Sequence, residues 1–203
     1  MEEVRLGRAS VALLPVVRGL PSEAPSVARA IESTAPHLVA LSISPDELEA
    51  LRTYDGRPAE AANFEEEIYM AGLSAWETPV KPAPCFTEAV RTSAARHVPV
   101  EPLDMDEETF TSAYTRFVGA VELLFQGRAE GRLARKRFRA TTPEEFVLEW
   151  DAAVNRSTGF ARLQIEREKH MASRIETLAG TSDKILAVVE VERIRGVLGA
   201  LRA

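Results

Sequence analysis

Three apolar runs along the chain have the composition of strands that are covered on both faces. They occupy residues 11–17, 38–43 and 185–191, and each is rich in valine, leucine or isoleucine. Between the first two runs, residues 22–35 carry apolar positions at helical spacing, and Pro36 ends this segment. Residues 11–43 are therefore predicted to form a strand, helix, strand unit, whose parallel strands end at the same edge of a sheet.

Amphipathic segments predict the helices that cover this sheet. The clearest lies at residues 107–126, where apolar residues follow the i, i+3, i+4, i+7 template. Further helices are predicted at residues 45–52, 63–73, 86–95, 143–155, 160–179 and at the C-terminus, with a strand at 98–103 and an edge strand or extended loop at 78–84. The pattern predicts one α/β domain over residues 1–203, with a mixed, mainly parallel sheet of about four to six strands flanked by helices.

One arginine interrupts the apolar face of the helix predicted at residues 160–179. On a helical wheel at 100° per residue, Arg167 lies in the middle of the apolar stripe. Either its guanidinium extends to the rim of the core, or it is buried and pairs with a carboxylate. Asp104 is the first candidate for that ion pair, and Glu190 and Glu88 follow it.

The charge balance and the cysteine content narrow the class of protein. A formal net charge of -6 and a pI near 5.3 argue against a general nucleic-acid or membrane-surface binder, because anionic phosphate groups would be repelled. Cys85 is the only cysteine, which excludes an internal disulfide and favours a reducing compartment. No segment approaches the roughly 18 apolar residues of a membrane span, and residues 1–5 lack the basic start of a signal peptide. We expect a cytoplasmic protein that binds neither nucleic acid nor membrane.

A basic segment at residues 127–139 is the local exception to the acidic composition. Six arginines and lysines stand there against one acid, Glu130. Such a run is typical of a solvated face between two helices, and the alternative is a surface for an anionic partner.

The sequence carries no strong catalytic signature. The three histidines, His37, His97 and His170, do not show the H-x-x-x-H spacing of a helical metal site. The glycines form neither a G-x-G-x-x-G nor a phosphate-binding loop, there is no G-x-S-x-G elbow, and Cys85 has no adjacent base in the sequence. We therefore expect no cofactor and no bound metal.

The order of elements and several short strings resemble the TraB/PrgY/Tiki family of α/β proteins over roughly residues 11–201. The strings are residues 27–31 (VARAI), 36–41 (PHLVAL), 166–167 (ER), 171–172 (MA), 185–189 (ILAVV) and 196–197 (GV). Active members of this family look like metal-dependent proteases or hydrolases. The resemblance implies a TraB/Tiki-like fold.

The positions that match the family's site are changed in this chain. Arg18 and Arg193 stand where the family has histidines, Ser42 replaces a glutamate after the second strand, and Cys85 falls at a later G-x-E position. Of the family's Asp-Arg pair, Asp104 remains and a methionine follows it. Because arginine has no lone pair to offer a metal ion, the resemblance argues against the family's metal chemistry here.

The leading hypothesis is a non-catalytic binding or regulatory domain, in the manner of a pseudoenzyme. Arg18, Arg193 and Ser42 would then form a site for a small anion or an acidic peptide at the edge where the strands end. Alternatively, Asp104, Glu190 or Glu192 neutralises the two arginines internally.

Two other functions remain open at this point. One is a metal-dependent hydrolase or protease with a relocated site that uses Asp104, Glu190, Glu192 or Glu88. The other is a structural subunit of a homo-oligomer. The long amphipathic helices at residues 107–126 and 160–179 predict a homodimer, because together they present more apolar surface than one small sheet covers.

Overall fold

The structure is a computed structural model that describes residues 1–119, 122, 131, 133 and 136–203. In chain order, its strands and helices are β1 (Glu2–Leu6), β2 (Ala9–Val16), α1 (Glu23–Thr34), β3 (Leu38–Leu41), α2 (Pro45–Arg52), α3 (Phe64–Leu73), α4 (Pro84–Ala95), β4 (Val100–Pro102), α5 (Glu107–Phe117), α6 (Pro143–Val154), α7 (Thr158–Ala179), β5 (Lys184–Glu190) and α8 (Ile194–Leu201).

The described strands form one mixed sheet in the order β1-β2-β5-β3-β4. Strand β5 pairs in parallel with β2 on one side and with β3 on the other, and β3 pairs in parallel with β4. Strand β1 lies antiparallel to β2 at one edge. The predicted α/β class and mainly parallel sheet are confirmed. Strand β1 was not predicted, because only Val4 and Leu6 interrupt its polar sequence and a two-residue turn at Gly7 (φ 59°) joins it to β2.

Pro15 lies within β2 without breaking the sheet. Ser10 donates its N–H to Asp183 on the β5 side, so residues 12, 14 and 16 also point their N–H groups toward β5. The nitrogen of Pro15 therefore points toward β1, and β1 ends opposite Leu13. Pro15 therefore lacks an N–H donor only on a side where none of the described strands pairs with it.

Helices cover the sheet on both faces, and alternate residues of each strand face alternate layers. Val11 and Leu13 of β2 pack with α7 and α8, whereas Ala12 packs on the side of α1 and α4. Burying one such valine or leucine contributes about 1.5–3 kcal/mol. The continuous apolar runs of the sequence reflect this burial on both faces.

A third apolar cluster lies beyond the C-terminal end of β2. Tyr69 and Leu73 of α3 pack there against Phe146 and Val147 of α6 and against Val17. The cluster fixes the loop that follows β2. This loop carries Arg18.

The helix predicted at residues 107–126 is not continuous in the structure. Helix α5 ends at Phe117, and Val118 adopts an extended backbone. Glu122 accepts hydrogen bonds from the backbone N–H groups of Gly119 (3.0 Å) and Gly159 (2.7 Å), so local contacts satisfy the chain at the break. The apolar positions 121, 124 and 125 of the prediction lie outside the described residues.

Two other predicted boundaries shift. The strand predicted at 98–103 is reduced to β4, and α4 begins at Pro84, two residues before the predicted start. Of the two alternatives predicted for residues 78–84, the structure shows the loop, over residues 78–83. None of the described helices combines the length and the apolar composition that crossing a membrane requires.

Candidate functional site

A cavity of about 310 Å³ opens at the edge where the parallel strands end. The loop after β2, the residues after β3 and the end of β5 line it, together with α2, α3, α7 and the loop before α4. Its charged lining residues are Arg18, Glu47, Glu66, Lys81, Arg167 and Glu190. Parallel α/β sheets place ligand sites at this edge.

Arg18 is held by the residues around the loop after β2. Its carbonyl oxygen accepts a hydrogen bond from the Tyr69 hydroxyl (2.8 Å), and its guanidinium carbon lies 5.6 Å from the centre of the Tyr69 ring. Gly19 follows with φ 102°, a left-handed conformation that glycine tolerates. The side chain is 36% exposed, and its Nε lies 3.6 Å from Oε1 of Glu190. Burial is the largest single influence and works against the charge, but the combined effect of Glu190, Tyr69, Glu192 and Glu47 exceeds it, and the pKa of Arg18 is raised.

Ser42 connects the ends of β3 and β5. Its backbone N–H donates to Val188 (3.1 Å), and its Oγ accepts the N–H of Glu190 (3.1 Å). Ser42 is buried and also lines the cavity. Its position in the site follows from these two bonds.

Glu190 and Glu192 place two carboxyl groups at the end of β5. Burial raises the pKa of Glu190, while Arg18 and Arg167 oppose that rise. Burial and the neighbouring Glu190 raise the pKa of Glu192 to about 8. The Oε2 atom of Glu192 is buried and has no hydrogen-bond partner among the described residues. Near neutral pH the protonated form of Glu192 is therefore favoured, although Glu192 does not line the cavity.

Arg167 and Asp104 form the ion pair that the sequence predicted. The Nε of Arg167 lies 3.3 Å and 3.1 Å from the two carboxylate oxygens of Asp104, and Nη2 also contacts Asp104. The Nη1 atom donates to Gln164 (2.8 Å), and Asp104 accepts the N–H of Met105 (2.8 Å). The side chains of Arg167 and Asp104 are 22% and 8% exposed. The guanidinium is thus held by side chains inside the protein.

Arg193 lies apart from the cavity. Its guanidinium contacts Asp151 of α6 and Glu168 of α7, the latter at 3.1 Å, and it is buried. The sequence interpretation placed Arg193 beside Arg18 and named Asp104, Glu190 or Glu192 as internal partners. The structure instead gives Arg193 two carboxylates from helices, which sequence spacing does not bring together.

Two other residues named from the sequence are also outside the cavity lining. Cys85 is fully buried in α4, and burial raises the pKa of its thiol, which keeps it protonated and unreactive. Glu88 binds Arg91 (2.6 Å) and Thr92 (2.8 Å) on α4, and Arg91 is the main cause of its lowered pKa. Neither residue contributes a charged group to the site.

Lys81, Glu66 and Tyr69 belong to the site but were not predicted. Lys81 binds Glu66 with its Nζ at 2.7 Å, and the N–H of Val80 donates to Gly19 (2.8 Å). That bond ties the proline-rich loop to the loop after β2. Glu66 and Tyr69 lie on α3 and Lys81 in the loop before α4, and no local sequence pattern marks any of the three as a site residue.

The divalent metal implied by the family resemblance does not fit these residues. Arg18 and Arg193 have no lone pair for a metal, and Asp104 is bound to Arg167. Within the described part of the chain, no group of three or more histidine, cysteine, aspartate or glutamate side chains is arranged to hold a metal ion.

The basic segment at residues 127–139 is described only in part. Lys136 donates to the carbonyl of Glu149 (3.1 Å) and lies 4.8 Å from the centre of the Phe138 ring. Residues 128, 132 and 135 lie outside the described residues, so the two interpretations of the segment stay open.

No protein-family model matches the chain, and no curated protein gives a significant match.

Proposed function

We propose that this chain is a non-catalytic binding domain, which holds a small anion or an acidic peptide end in the cavity through Arg18. The observation that carries the proposal is the state of the Arg18 guanidinium. It lines the cavity, is 36% exposed, and donates no hydrogen bond to any described residue. A guanidinium fork suits a carboxylate or phosphate group, to which it donates two parallel hydrogen bonds.

Ser42 supports the same site. Its Oγ already accepts the Glu190 N–H, and its hydroxyl hydrogen is donated to no described residue. That hydrogen is available to an anion in the cavity. Arg193 is left out of the proposal because two carboxylates already occupy its guanidinium.

Glu190 is the internal competitor for Arg18. The 3.6 Å between Nε and Oε1 exceeds hydrogen-bond length, so the pair is electrostatic without a directed bond. A ligand that reaches Arg18 at about 2.8 Å gains charge-assisted hydrogen bonds that Glu190 does not make.

The test is isothermal titration calorimetry with phosphate, sulfate and carboxylates on the parent, Arg18→Gln and Arg91→Gln. Arg91 is a matched control, because its side chain is 71% exposed and pairs with Glu88 on the surface. We expect binding to the parent and to Arg91→Gln, and at least tenfold weaker binding to Arg18→Gln. Equal binding by all three proteins, or none by any, contradicts the proposal.

The two carboxyl groups of Glu190 and Glu192 at the end of β5 favour one second candidate, a metal-dependent hydrolase or protease with a relocated site. Of the two, Glu190 lines the cavity, and burial raises its pKa, as in a carboxyl group that acts as a general acid. Metal analysis of the purified protein separates the candidates. Stoichiometric, tightly bound zinc or manganese would favour the enzyme over the binding domain.

We also propose a TraB/Tiki-like fold and a homodimer. The parallel arrangement of β2, β3 and β5 supports the first, together with the order α7, β5, α8. Phe110 and Ile165, which are 37% and 50% exposed, support the second. Part of the apolar surface behind the dimer prediction is covered within the chain, where Tyr114 packs on Phe160 at 6.1 Å. Light scattering at micromolar concentration that shows only a 22.3 kDa species would contradict the dimer.

A further inference from the structure

The charges around the cavity limit the charge of an occupant. Lys81 is paired with Glu66 and Arg167 with Asp104, which leaves Arg18 as the cation with the loosest pairing among the charged lining residues. The lining itself carries three positive and three negative groups, and Asp104, the partner of Arg167, lies outside it. A single negative charge therefore has one loosely paired guanidinium to bind, whereas the second charge of a dianion meets no further cation in this lining that lacks a close carboxylate partner.

Most of the uncharged wall of the cavity is apolar. Ile43, Leu51, Met70, Val80 and Phe86 line the cavity beside the charged groups. A cavity of about 310 Å³ lies at the small end of the range of ligand pockets, about 300–1,000 Å³. The site thus suits a compact molecule with a hydrocarbon body and one acidic group, because such a molecule buries its apolar atoms against this wall.

Binding of an anion at Arg18 changes the surroundings of the Glu190 carboxyl group and so its protonation. Its carboxyl group is buried at the end of β5, and Arg18 is its closest cation. The other titratable or charged groups that act on it lie on the surrounding elements: Glu47 on α2, Tyr69 on α3, Cys85 on α4, Asp104 after β4, Arg167 on α7 and Glu192 after β5. When a ligand carboxylate takes over Arg18, Glu190 loses that cation and gains a negative neighbour, which makes its charged form unfavourable.

We infer that the cavity takes a monocarboxylate with an apolar body, and that its carboxylate replaces Glu190 on Arg18 while Glu190 takes up one proton from water. One negative charge and one proton enter together, so the net charge of the site is unchanged. The inference rests on the proposed anion site at Arg18. The raised pKa of Glu190 is consistent with it, since burial already favours the protonated form of this group.

The test is calorimetry that compares the affinities of benzoate and hexanoate with those of phosphate, sulfate and succinate. Titrations at one pH in buffers of different ionisation enthalpy give the number of protons taken up. We expect the two monocarboxylates to bind at least tenfold more tightly than the three other anions. We also expect uptake of about one proton per ligand, so that affinity falls about tenfold per pH unit where Glu190 is ionised in the free protein.

The variant Glu190→Gln removes the proton-accepting group. Its hydrogen bond to Ser42 is kept, because the backbone N–H of residue 190 makes that bond. We expect this variant to bind benzoate without proton uptake, and Glu32→Gln, an exposed change on α1, to behave like the parent. The proton count in the parent decides the question if Glu190→Gln does not fold. Binding of phosphate or sulfate that is as tight as that of benzoate, or binding without proton uptake, overturns the inference and leaves the anion site standing. Loss of all anion binding, or equal binding by Arg18→Gln, removes the proposed function itself.

Discussion

The ion pair between Arg167 and Asp104 contributes to the free energy of unfolding. Arg167→Met leaves the carboxylate of Asp104 buried without its cation, which typically costs about 3–5 kcal/mol. We expect urea unfolding to show a loss of that size. Arg174→Met on the same helix is the control, because Arg174 is 38% exposed and lies 3.8 Å from the exposed Glu101. It should change the free energy of unfolding by less than about 1 kcal/mol.

A double variant separates the ion pair from simple packing. Arg167→Met combined with Asp104→Leu removes both charges and should recover part of the stability lost in the single variant. An unchanged midpoint in Arg167→Met would mean that its guanidinium reaches solvent and is not needed by Asp104.

The raised pKa of Glu192 predicts that the free energy of unfolding depends on pH. A carboxyl group with a pKa of about 8 in the folded protein and about 4.5 in the unfolded chain binds a proton more tightly when folded. It therefore lowers the free energy of unfolding as pH rises from 4.5 to 8. Glu192→Gln should match the parent near pH 4 and be more stable at pH 8, by on the order of 4 kcal/mol. Urea unfolding at several pH values measures this, and parallel pH curves for the two proteins would show that Glu192 is ionised throughout.

At the scale of single residues, the sequence predicts correctly the side chains whose positions follow from the periodicity of helices and strands. Arg167 was recognised because it interrupts an apolar stripe, and Asp104 because it follows a predicted strand. The partners of Arg193 were missed, since Asp151 and Glu168 meet it only after α6 and α7 have packed. Such contacts depend on tertiary geometry that no local pattern records.

Packing between α3 and α6 holds the apolar cluster above the end of β2. A Cβ added to Gly72 of α3 would collide with the ring of Phe146, which is buried in α6. Gly72→Ala should therefore destabilise the protein by about 1–3 kcal/mol, because overpacking outweighs the gain in helix propensity. Gly199→Ala in α8 meets no atom within 4 Å and should be neutral or stabilising by up to about 1 kcal/mol. Thermal unfolding of the two variants compares them, and equal effects would contradict this close approach of the helices.

Strands buried on both faces were the elements that the sequence predicted best. β2, β3 and β5 coincide with continuous apolar runs, and α1, α2 and α3 lie within about two residues of the predicted bounds. Strand β1 was not predicted from the sequence, because a short edge strand has few buried positions. α5 was predicted too long because apolar periodicity continues past Val118, where the backbone becomes extended and Glu122 caps Gly119.

For the whole molecule, the sequence predicts the sheet and the edge at which the cavity opens, but not the lining of that cavity. The parallel strands fix where Arg18 and Ser42 lie. The cavity also needs the loop around Lys81 and the helix that carries Tyr69, and both are placed by packing between distant segments. The proposed ligand class therefore depends on structure more than the fold does.

The central claim is that the guanidinium of Arg18 binds the anion. NMR of the arginine Nε–H groups during titration with benzoate at pH 6 tests it directly, with the Arg18 signal assigned by its loss in Arg18→Lys. We expect that signal to move with saturation while the signal of the surface residue Arg91 stays in place. A saturating titration that leaves the Arg18 signal unchanged, or moves the Arg91 signal equally, would contradict the claim.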